Sequence, residues 1–312
     1  MNSGMEKISG IKKGKKIQAP SIPDLTSEFL ADQDMKEISK HTYRTGLEKF
    51  FSWLSAEEIR QPDRESILNF KSYLIESGLG ANTVNCYLVA VKQFFAYLEG
   101  KKKYPNVAKD IRGVRQPRGH CRDSFTPSQV RDLLNQIDTS TIQGKRDYAI
   151  INLMARTGLR TMEVVSANVG DIRQDEGETL LYVQGKGSDS KDCFVILTEK
   201  TLFPILHYLG LRKKTDLEDP LFVSLSDRNK YQRLTTRTLR LIVKENLEKA
   251  NIINPKLSAH SFRHFFATQS LRAGAQLPQV KEAMRHASIE TTQKYLHAVD
   301  RIRNCAERYV DF

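Results

Sequence analysis

The sequence predicts a mainly α-helical protein with a small β-hairpin, divided into two domains. Apolar residues recur at helical spacing over most of the chain. Two short β-rich runs are joined by a turn rich in glycine and serine. A stretch rich in proline and glycine interrupts the helical pattern after residue 104. With 312 residues, the chain is long enough for two domains that each bury a core.

The first twenty residues carry no periodic pattern. The segment "MNSGMEKISGIKKGKKIQAP" is rich in Gly, Ser and Lys, so we expect residues 1–20 to form a flexible basic arm. A frayed terminus and an arm that follows DNA are about equally consistent with this composition. No apolar segment follows these lysines and no long apolar run occurs elsewhere, so the sequence predicts a cytoplasmic protein without a membrane span.

Residues 21–104 predict a helical domain. From Ile38, behind Ser39 as a possible N-cap, apolar residues recur at helical steps. A second helix, "ESILNFKSYLIESG", is expected to stop at Gly78. A third helix follows "GLGANT". The apolar stripes of the first and third helices are Tyr43, Leu47, Phe50, Phe51 and Leu54, and Val84, Leu88, Val91, Phe95 and Leu98.

A linker is predicted at residues 105–122, where prolines and glycines lie among basic residues. Divided after Pro117, the first part has 19 basic and 14 acidic residues (+5) and the second has 30 and 23 (+7). The formal net charge of the whole chain is +12. Because both parts are basic, a polyanionic partner such as nucleic acid is favoured.

Residues 123–312 form the second predicted domain. It opens with a capping box in "FTPSQVRDLL", with Thr126 at the N-cap, Pro127 at the first helical position and Gln129 two residues later. The segment "TLLYVQGKGSDSKDCFVIL" predicts a hairpin with strands at 179–183 and 193–197 and Lys186 at its turn. The four cysteines have no metal-ligand spacing, so we expect reduced thiols and no disulfides.

A helix with a basic stripe is predicted in "LTTRTLRLIVKENLEKANI". Apolar residues form one face of this helix, and basic residues at steps of three and four form a stripe on another. Such a stripe is usually a solvated face, but it also has the form of a helix presented to a DNA groove. The apolar face is Leu239, Ile242, Val243 and Leu247, and the stripe is Arg237, Arg240 and Lys244.

The segment "SAHSFRHFFATQSLRAG" predicts a helix that ends near Gly274 and places His260 and Arg263 on one side. Its buried residues are expected to include Phe262, Phe265 and Phe266. An isolated H-x-x-R pair is usually structural. His260 and His264 stand four apart, but Ser261 takes the place of the glutamate in H-E-x-x-H, so we expect no metal site and a packing role for His264.

Two further segments hold candidate functional residues. In "RTGLRTMEVV", Arg160 follows a turn at Gly158, and Glu163 three residues on is most simply a partner in a surface ion pair. In "LPQVKEAMRHASIETTQKYLHAV", two helices flank a turn that carries His286, and Tyr295 lies on the second. Taken alone, His286 is a solvated turn residue and Tyr295 a half-buried core residue.

The order and number of these features change the interpretation. The segments "TGLRTMEV", "GKGS", "HSFRHFFAT" and "RHASIETTQKY" resemble the catalytic segments of the tyrosine recombinases, the family of λ integrase, Cre and the Xer proteins. The α-helical N-terminal domain is similar to that family's DNA clamp. The resemblance covers nearly all of the chain after the basic arm, and it implies a SAM-like core-binding domain at residues 21–104 and a catalytic domain at 123–312.

The resemblance also implies the chemistry. Tyr295 would attack a DNA phosphate to give a 3′-phosphotyrosyl link, and Lys186 would protonate the leaving 5′-oxygen. Arg160 and Arg263 would bind the nonbridging oxygens, because a guanidinium matches phosphate geometry. His260 and His286 would donate hydrogen bonds or carry the tyrosine proton, and Glu163 would hold the first arginine. No metal or other cofactor is expected.

The expected partner is double-stranded DNA with specific core sites. We expect it to be contacted by the stripe residues and also by Lys92 and Arg115. Two duplexes with two sites each imply a homotetramer on synapsed DNA. In the tail "IRNCAERYVDF", apolar residues at helical spacing are consistent with docking on a neighbouring protomer or on the chain's own domain.

One position departs from the family pattern. The residue before the turn histidine is often Gly but is Arg285 here, which would alter the turn or add a phosphate contact. We also expect no separate folded arm-binding domain before the clamp. Two other functions remain open at this point: a DNA-binding regulator that does not cleave, and a type IB topoisomerase.

Overall fold

The computed structural model describes residues 25–115, 123–185, 188, 190–212, 215–286 and 288–295. The chain divides into two compact units between residues 119 and 120. The predicted basic arm, Lys186 at the hairpin turn and the predicted C-terminal tail lie outside the described residues.

The described part of the first unit has four helices, which bury one face each in a shared core. They are α1 (Leu25–Asp32), α2 (Glu37–Ala56), α3 (Arg64–Glu76) and α4 (Ala81–Gly100). The apolar stripes predicted for α2 and α4 lie in this core, where Leu47, Phe50 and Phe95 are fully buried. Helix α1 was not predicted, because it has little more than two turns; it buries Phe29 against the rings of its neighbours.

The ends of these helices are partly as predicted. Gly78 has a φ of +72° just after the end of α3, as expected of a glycine that stops a helix. The prediction of Ser39 as the N-cap of α2 is wrong, because the N-cap is Lys36 and Ser39 lies in the first helical turn. The polar residues before Ile38 show no apolar periodicity, so the pattern did not reveal this first turn.

The first part of the predicted linker packs on the first unit. Ala108 and Ile111 are buried in its core. Lys92 on α4 is half-buried, and its Nζ donates a hydrogen bond to the Ile111 carbonyl at 3.1 Å. We therefore propose that the connection between the units is shorter than predicted and lies within 116–122, outside the described residues.

The second unit begins with the predicted capping box, in which the Thr126 side chain accepts from the Gln129 backbone and Gln129 bonds back to Thr126. A further seven-residue stretch, 289–295, is helical. The named elements are α5 (Pro127–Asn135), α6 (Ile142–Thr157), α7 (Thr161–Ser166), β1 (Ile172–Asp175), β2 (Glu178–Val183), β3 (Cys193–Ile196), α8 (Glu199–Leu209), α9 (Thr236–Lys249), α10 (Ser261–Arg272) and α11 (Leu277–Ala283).

The three strands form one antiparallel sheet in the order β1-β2-β3. The predicted hairpin is confirmed, with Leu180 opposite Ile196 and Val183 opposite Cys193. Strand β1 was not predicted, because its sequence "IRQD" has neither alternation nor β-branched residues beyond Ile172.

Helix α6 passes through the core of the second unit and ends where the site begins. Nearly all of its residues from Ala149 to Thr157 are buried. Gly158 ends the helix with a φ of +63°. A Cβ at this position would lie 2.6 Å from Cδ1 of Phe266, so only glycine lets α10 approach the end of α6 this closely. Within the described residues, no helix is both long and apolar enough to cross a bilayer.

Candidate active site

Arg160 and Glu163 lie at the start of α7, directly after the Gly158 turn. The Glu163 carboxylate accepts from the Arg160 backbone N–H and from Arg160 Nη1, each at 2.7 Å. This places the guanidinium at the helix N-terminus in a fixed orientation. The interpretation of Glu163 as half of a surface pair is wrong, because its side chain is only 3% exposed. Long-range packing, which spacing does not encode, buries it.

Arg263 on α10 joins two turns that are distant in sequence. Its Nη1 donates to the Gly158 carbonyl at 2.7 Å, and its Nη2 donates to the Met284 carbonyl. The residue is 2% exposed. Burial, and next the charge of Arg160, lower the pKa of Arg263, which nevertheless stays charged at neutral pH. Arg263 thus holds two turns together: the turn before Arg160 and the turn before His286.

Arg285 also points into this site. Its backbone has a φ of +53°, so the turn is left-handed at the position where a glycine is common in the family. Its Nη2 lies 2.8 Å from Glu163 Oε2, and its side chain is 7% exposed. Glu163 is therefore shared by two arginines. Of the two effects expected at this position, a phosphate contact is not what the side chain makes in this structure, because the guanidinium lies on Glu163.

The rings of His286 and Tyr295 are stacked on each other. Their rings are nearly parallel, with planes 6° apart and centroids 6.2 Å apart. The His286 Nδ1 lies 2.8 Å from Oγ1 of the buried Thr292, which fixes the orientation of the imidazole. The Tyr295 side chain is buried, with 6% of the residue exposed.

His264 also packs against Tyr295. Its ring meets Tyr295 edge-on, with centroids 5.1 Å apart and planes at 62°. The His260 ring lies 5.3 Å from His264, and His260 itself is exposed at the N-cap of α10. Sequence reasoning placed His264 in helix packing and missed its contact with the tyrosine. Its position one turn after His260 on the same helix was the only available signal.

The site is strongly positive, and this affects its titratable groups. Burial, followed by the charges of Arg263 and Arg160, lowers the pKa of His286 to about 4, so this imidazole is neutral at pH 7. Burial raises the pKa of Tyr295, and the nearby charges of Arg263 and Arg160 offset only part of that rise. The phenol therefore carries its proton at neutral pH and needs a base to become a nucleophile.

The structure thus brings together Arg160, Glu163, Arg263, His286 and Tyr295, with His260 next to them. The three residues of the basic stripe on α9 are exposed, and Lys244 lies 3.5 Å from Glu248. Arg115 is exposed in the first unit, where Lys92 bonds to its own chain. Among the described residues, no group of His, Cys, Asp or Glu side chains is arranged to hold a metal ion.

Comparison with known proteins gives matches along most of the chain. Residues 123–301 match the model of the phage integrase family, and residues 27–102 match that of the phage integrase N-terminal SAM-like domain. The tyrosine recombinase XerA of Pyrococcus furiosus is 31% identical over 272 residues, which cover 87% of this chain and 88% of that protein. A tyrosine recombinase of Synechococcus elongatus is 28% identical over 281 residues, 86% of this chain and 87% of the other.

Solved structures agree in fold. The XerH site-specific recombinase bound to a palindromic difH substrate, after cleavage, aligns with a TM-score of 0.72 at 24% identity. The alignment covers 93% of this chain and 85% of that one. A λ integrase fragment, a dimer bound to a core site, aligns with a TM-score of 0.70 at 12% identity, over 86% of this chain and 95% of the other.

Proposed function

The chain belongs to the phage integrase family as a site-specific tyrosine recombinase, and we propose that its reaction proceeds through a covalent bond between Tyr295 and a DNA 3′-phosphate. The observation that carries this proposal is the burial of one tyrosine ring in contact with both His286 and His264, in the same site as Arg160 and Arg263. In the core, a tyrosine packed only for hydrophobic contact needs neither imidazoles nor guanidinium groups beside it.

The two arginines are proposed to bind the nonbridging oxygens of the scissile phosphate. Arg160 is 24% exposed, which leaves its guanidinium accessible from solvent while Glu163 holds it. Arg263 bonds two carbonyls, but a guanidinium has more N–H groups than these two bonds use. Each donor to the negative charge that grows in the transition state is worth about 3 kcal/mol.

Proton transfers are proposed for the histidines and for Lys186. Because His286 is neutral at pH 7, it can accept the proton that the Tyr295 phenol must lose. As the tyrosine oxygen bonds to phosphorus, the bond to the 5′-oxygen breaks, and that oxygen takes a proton from Lys186. The role of Lys186 rests on the family resemblance, since this residue lies outside the described part of the chain.

The phosphotyrosyl ester conserves the energy of the broken phosphodiester. A 5′-hydroxyl from a second strand can therefore attack it and restore the tyrosine without ATP. Exchange between two duplexes, each with two sites, calls for four protomers. A homotetramer on double-stranded DNA is thus part of the proposal, with the α9 stripe, Lys92 and Arg115 as candidate DNA contacts.

The test is to trap the covalent intermediate on a mixture of DNA sequences, so that the protein itself selects its target. The protein is incubated with a pool of nicked genomic DNA fragments, denatured, and the protein-linked fragments are recovered and sequenced. A nick near the cleavage point lets the short strand with the 5′-hydroxyl diffuse away, so the adduct accumulates. We expect adducts at a narrow set of sequences, with the protein on the 3′-phosphate.

Two variants provide the controls. Tyr295→Phe should bind the recovered DNA without forming the adduct. Tyr231→Phe removes the hydroxyl of a tyrosine that is 54% exposed and should form the adduct at the normal rate. An adduct that persists in Tyr295→Phe rejects this nucleophile. Sequence-specific binding without any adduct favours a regulator, and relaxation of plasmids that lack the recovered sequence favours a topoisomerase.

A further inference from the structure

The turn before His286 is held in a conformation that its own residue disfavours. Arg285 has a φ of +53°, in the left-handed region that L side chains rarely adopt. A glycine adopts this conformation without strain. Contacts of the arginine side chain can offset this backbone cost.

Those contacts all lie inside the protein. Nε and Nη2 of Arg285 donate to the two oxygens of Glu163 at 3.2 and 2.8 Å, and Nη1 donates to the Ala283 carbonyl at 2.7 Å. A bidentate contact between a guanidinium and a carboxylate has one favoured orientation, so it holds both groups in place. The guanidinium is thus directed at Glu163 and away from solvent.

This ion pair connects two turns that carry proposed catalytic groups. One turn holds Arg160 and the other holds His286. The same two turns are also joined by Arg263, through the Gly158 and Met284 carbonyls, and by Arg160 Nη2, which lies 3.3 Å from the Arg285 carbonyl. Of these connections, only the one between Arg285 and Glu163 pairs opposite charges.

Among the groups that keep the Glu163 carboxylate ionised, Arg285 has the largest effect. Burial raises the pKa of Glu163, but the hydrogen bonds and charge of Arg285, followed by those of Arg160, outweigh it. The pKa therefore lies below its ordinary value, and the carboxylate stays ionised at neutral pH. Without Arg285, Glu163 would lose one of its two hydrogen-bonded arginines, and the carboxylate that orients Arg160 would no longer be fixed from the His286 turn.

We propose that Arg285 is a positioning residue for DNA cleavage, which acts by holding Glu163 so that Arg160 and His286 keep their relative placement. This inference rests on the proposed function. It predicts that Arg285 acts through Glu163 and makes no contact of its own with DNA.

A double-mutant cycle tests the inference. The variants are Arg285→Gly, Glu163→Gln and the two combined, with Arg285→Lys as the conservative change. The readouts are the single-turnover rate of adduct formation on the DNA recovered above, at saturating protein, and the dissociation constant for the same DNA. Thermal unfolding of each variant shows whether it is folded.

We expect Arg285→Gly to slow adduct formation about 10-fold or more, since small misplacements of reacting groups carry large rate costs. Its dissociation constant should stay within about twofold of the wild type, because the residue is not a phosphate contact. Glycine also removes the backbone strain, which offsets part of the stability lost with the buried ion pair. The double variant should be no slower than the slower single variant, and Arg285→Lys should recover part of the rate.

Asn251→Gly is the matched control. Asn251 also has a positive φ, of +54°, and it is exposed after the end of α9, away from the site residues in sequence. This substitution relieves the same kind of strain and should leave the rate of adduct formation unchanged.

Three results overturn the inference while leaving the proposed function in place. The first is a normal rate of adduct formation in Arg285→Gly. The second is a pair of rate losses in the single variants that multiply in the double variant. The third is a larger dissociation constant for Arg285→Gly, with a reduced salt dependence of binding. Absence of any adduct with the wild-type protein instead rejects the proposed function, and this inference with it.

Discussion

The His286 imidazole stacks on the Tyr295 ring with nearly parallel planes, 6° apart, within a single folded unit. Thr292, on the same helical stretch as Tyr295, bonds to the imidazole and sets its orientation. The proposed proton acceptor and the proposed nucleophile are therefore placed by one short segment, residues 286–295, which Arg263 and Arg285 attach to the rest of the site.

This arrangement predicts proton uptake when DNA binds. In the free protein, burial and the charges of Arg263 and Arg160 lower the pKa of His286 to about 4. A phosphate beside the imidazole stabilises its protonated form and raises that pKa towards the ordinary value. Between these two values, at about pH 5.5, binding should take up protons, whereas at pH 8 the imidazole is neutral in both states and uptake should vanish.

Calorimetry in buffers of different ionisation enthalpy measures this uptake. His286→Gln should abolish it, and His207→Gln, which changes an exposed histidine on α8, should not. Equal uptake in the wild type and in His286→Gln would assign the protons to other groups.

His264 should position the nucleophile. Its ring meets Tyr295 edge-on at 5.1 Å, so His264→Ala opens a gap beside the phenol ring. We expect adduct formation to slow about 10-fold or more, and His264→Phe, which restores a ring of similar width, to recover part of the rate. Single-turnover trapping compares the three proteins; identical rates in the Ala variant and the wild type would leave His264 with a packing role only.

Gly158 should be required for both stability and cleavage. In Gly158→Ala the new Cβ meets the Phe266 ring at 2.6 Å, and the left-handed backbone is strained as well. We expect the free energy of unfolding to fall by about 1 to 3 kcal/mol from the clash. Adduct formation should also slow, because Arg263 bonds to the Gly158 carbonyl.

The comparison for this variant is Gly177→Ala, in the turn between β1 and β2. Gly177 has a φ of +83° but nothing within 4 Å of an added Cβ. The free energy of unfolding of Gly177→Ala, measured with urea, should fall by about 1 kcal/mol because of the backbone strain alone. Its rate of adduct formation should be normal. Equal losses in the two variants would show that the contact with Phe266 is unimportant.

The exposed stripe on α9 should bind DNA through phosphates. Arg237→Ala and Arg240→Ala are each expected to weaken binding and to reduce the slope of log K against log salt by about 1. Arg131→Ala, at an exposed position on α5, makes the same change of charge outside the stripe. Binding isotherms over a range of salt concentrations measure this slope. An unchanged slope in both stripe variants would show that the stripe is exposed to solvent and does not contact DNA.

Most of the helical architecture could be predicted because it is encoded locally. The apolar stripes of α2, α4 and α9, the Thr126 capping box and the β2–β3 hairpin each depend on residues close together in sequence, and all are present. Helix α1 and strand β1 escaped prediction because a short helix and a polar edge strand leave too few apolar positions to define a period.

The site was predictable as a set of residues but not as a set of contacts. Arg160, Arg263, His286 and Tyr295 were chosen by family resemblance, and the fold places them together. The burial of Glu163 and its bond with Arg285 join residues more than a hundred positions apart, so no local spacing indicates them. The contact of His264 with Tyr295 depends in the same way on the packing of α10 against the helical stretch 289–295.

The burial of Tyr295 within its own unit has a consequence for mixed assemblies. In the proposed tetramer, a protomer whose tyrosine lies beside its own guanidinium groups needs no tyrosine from a neighbour, so a defective copy should inactivate only the strand on which it sits. Wild-type protein diluted with the Tyr295→Phe variant should then accumulate half-exchanged junctions, and a mutation of the arginines in one copy should not be rescued by a tyrosine supplied from another.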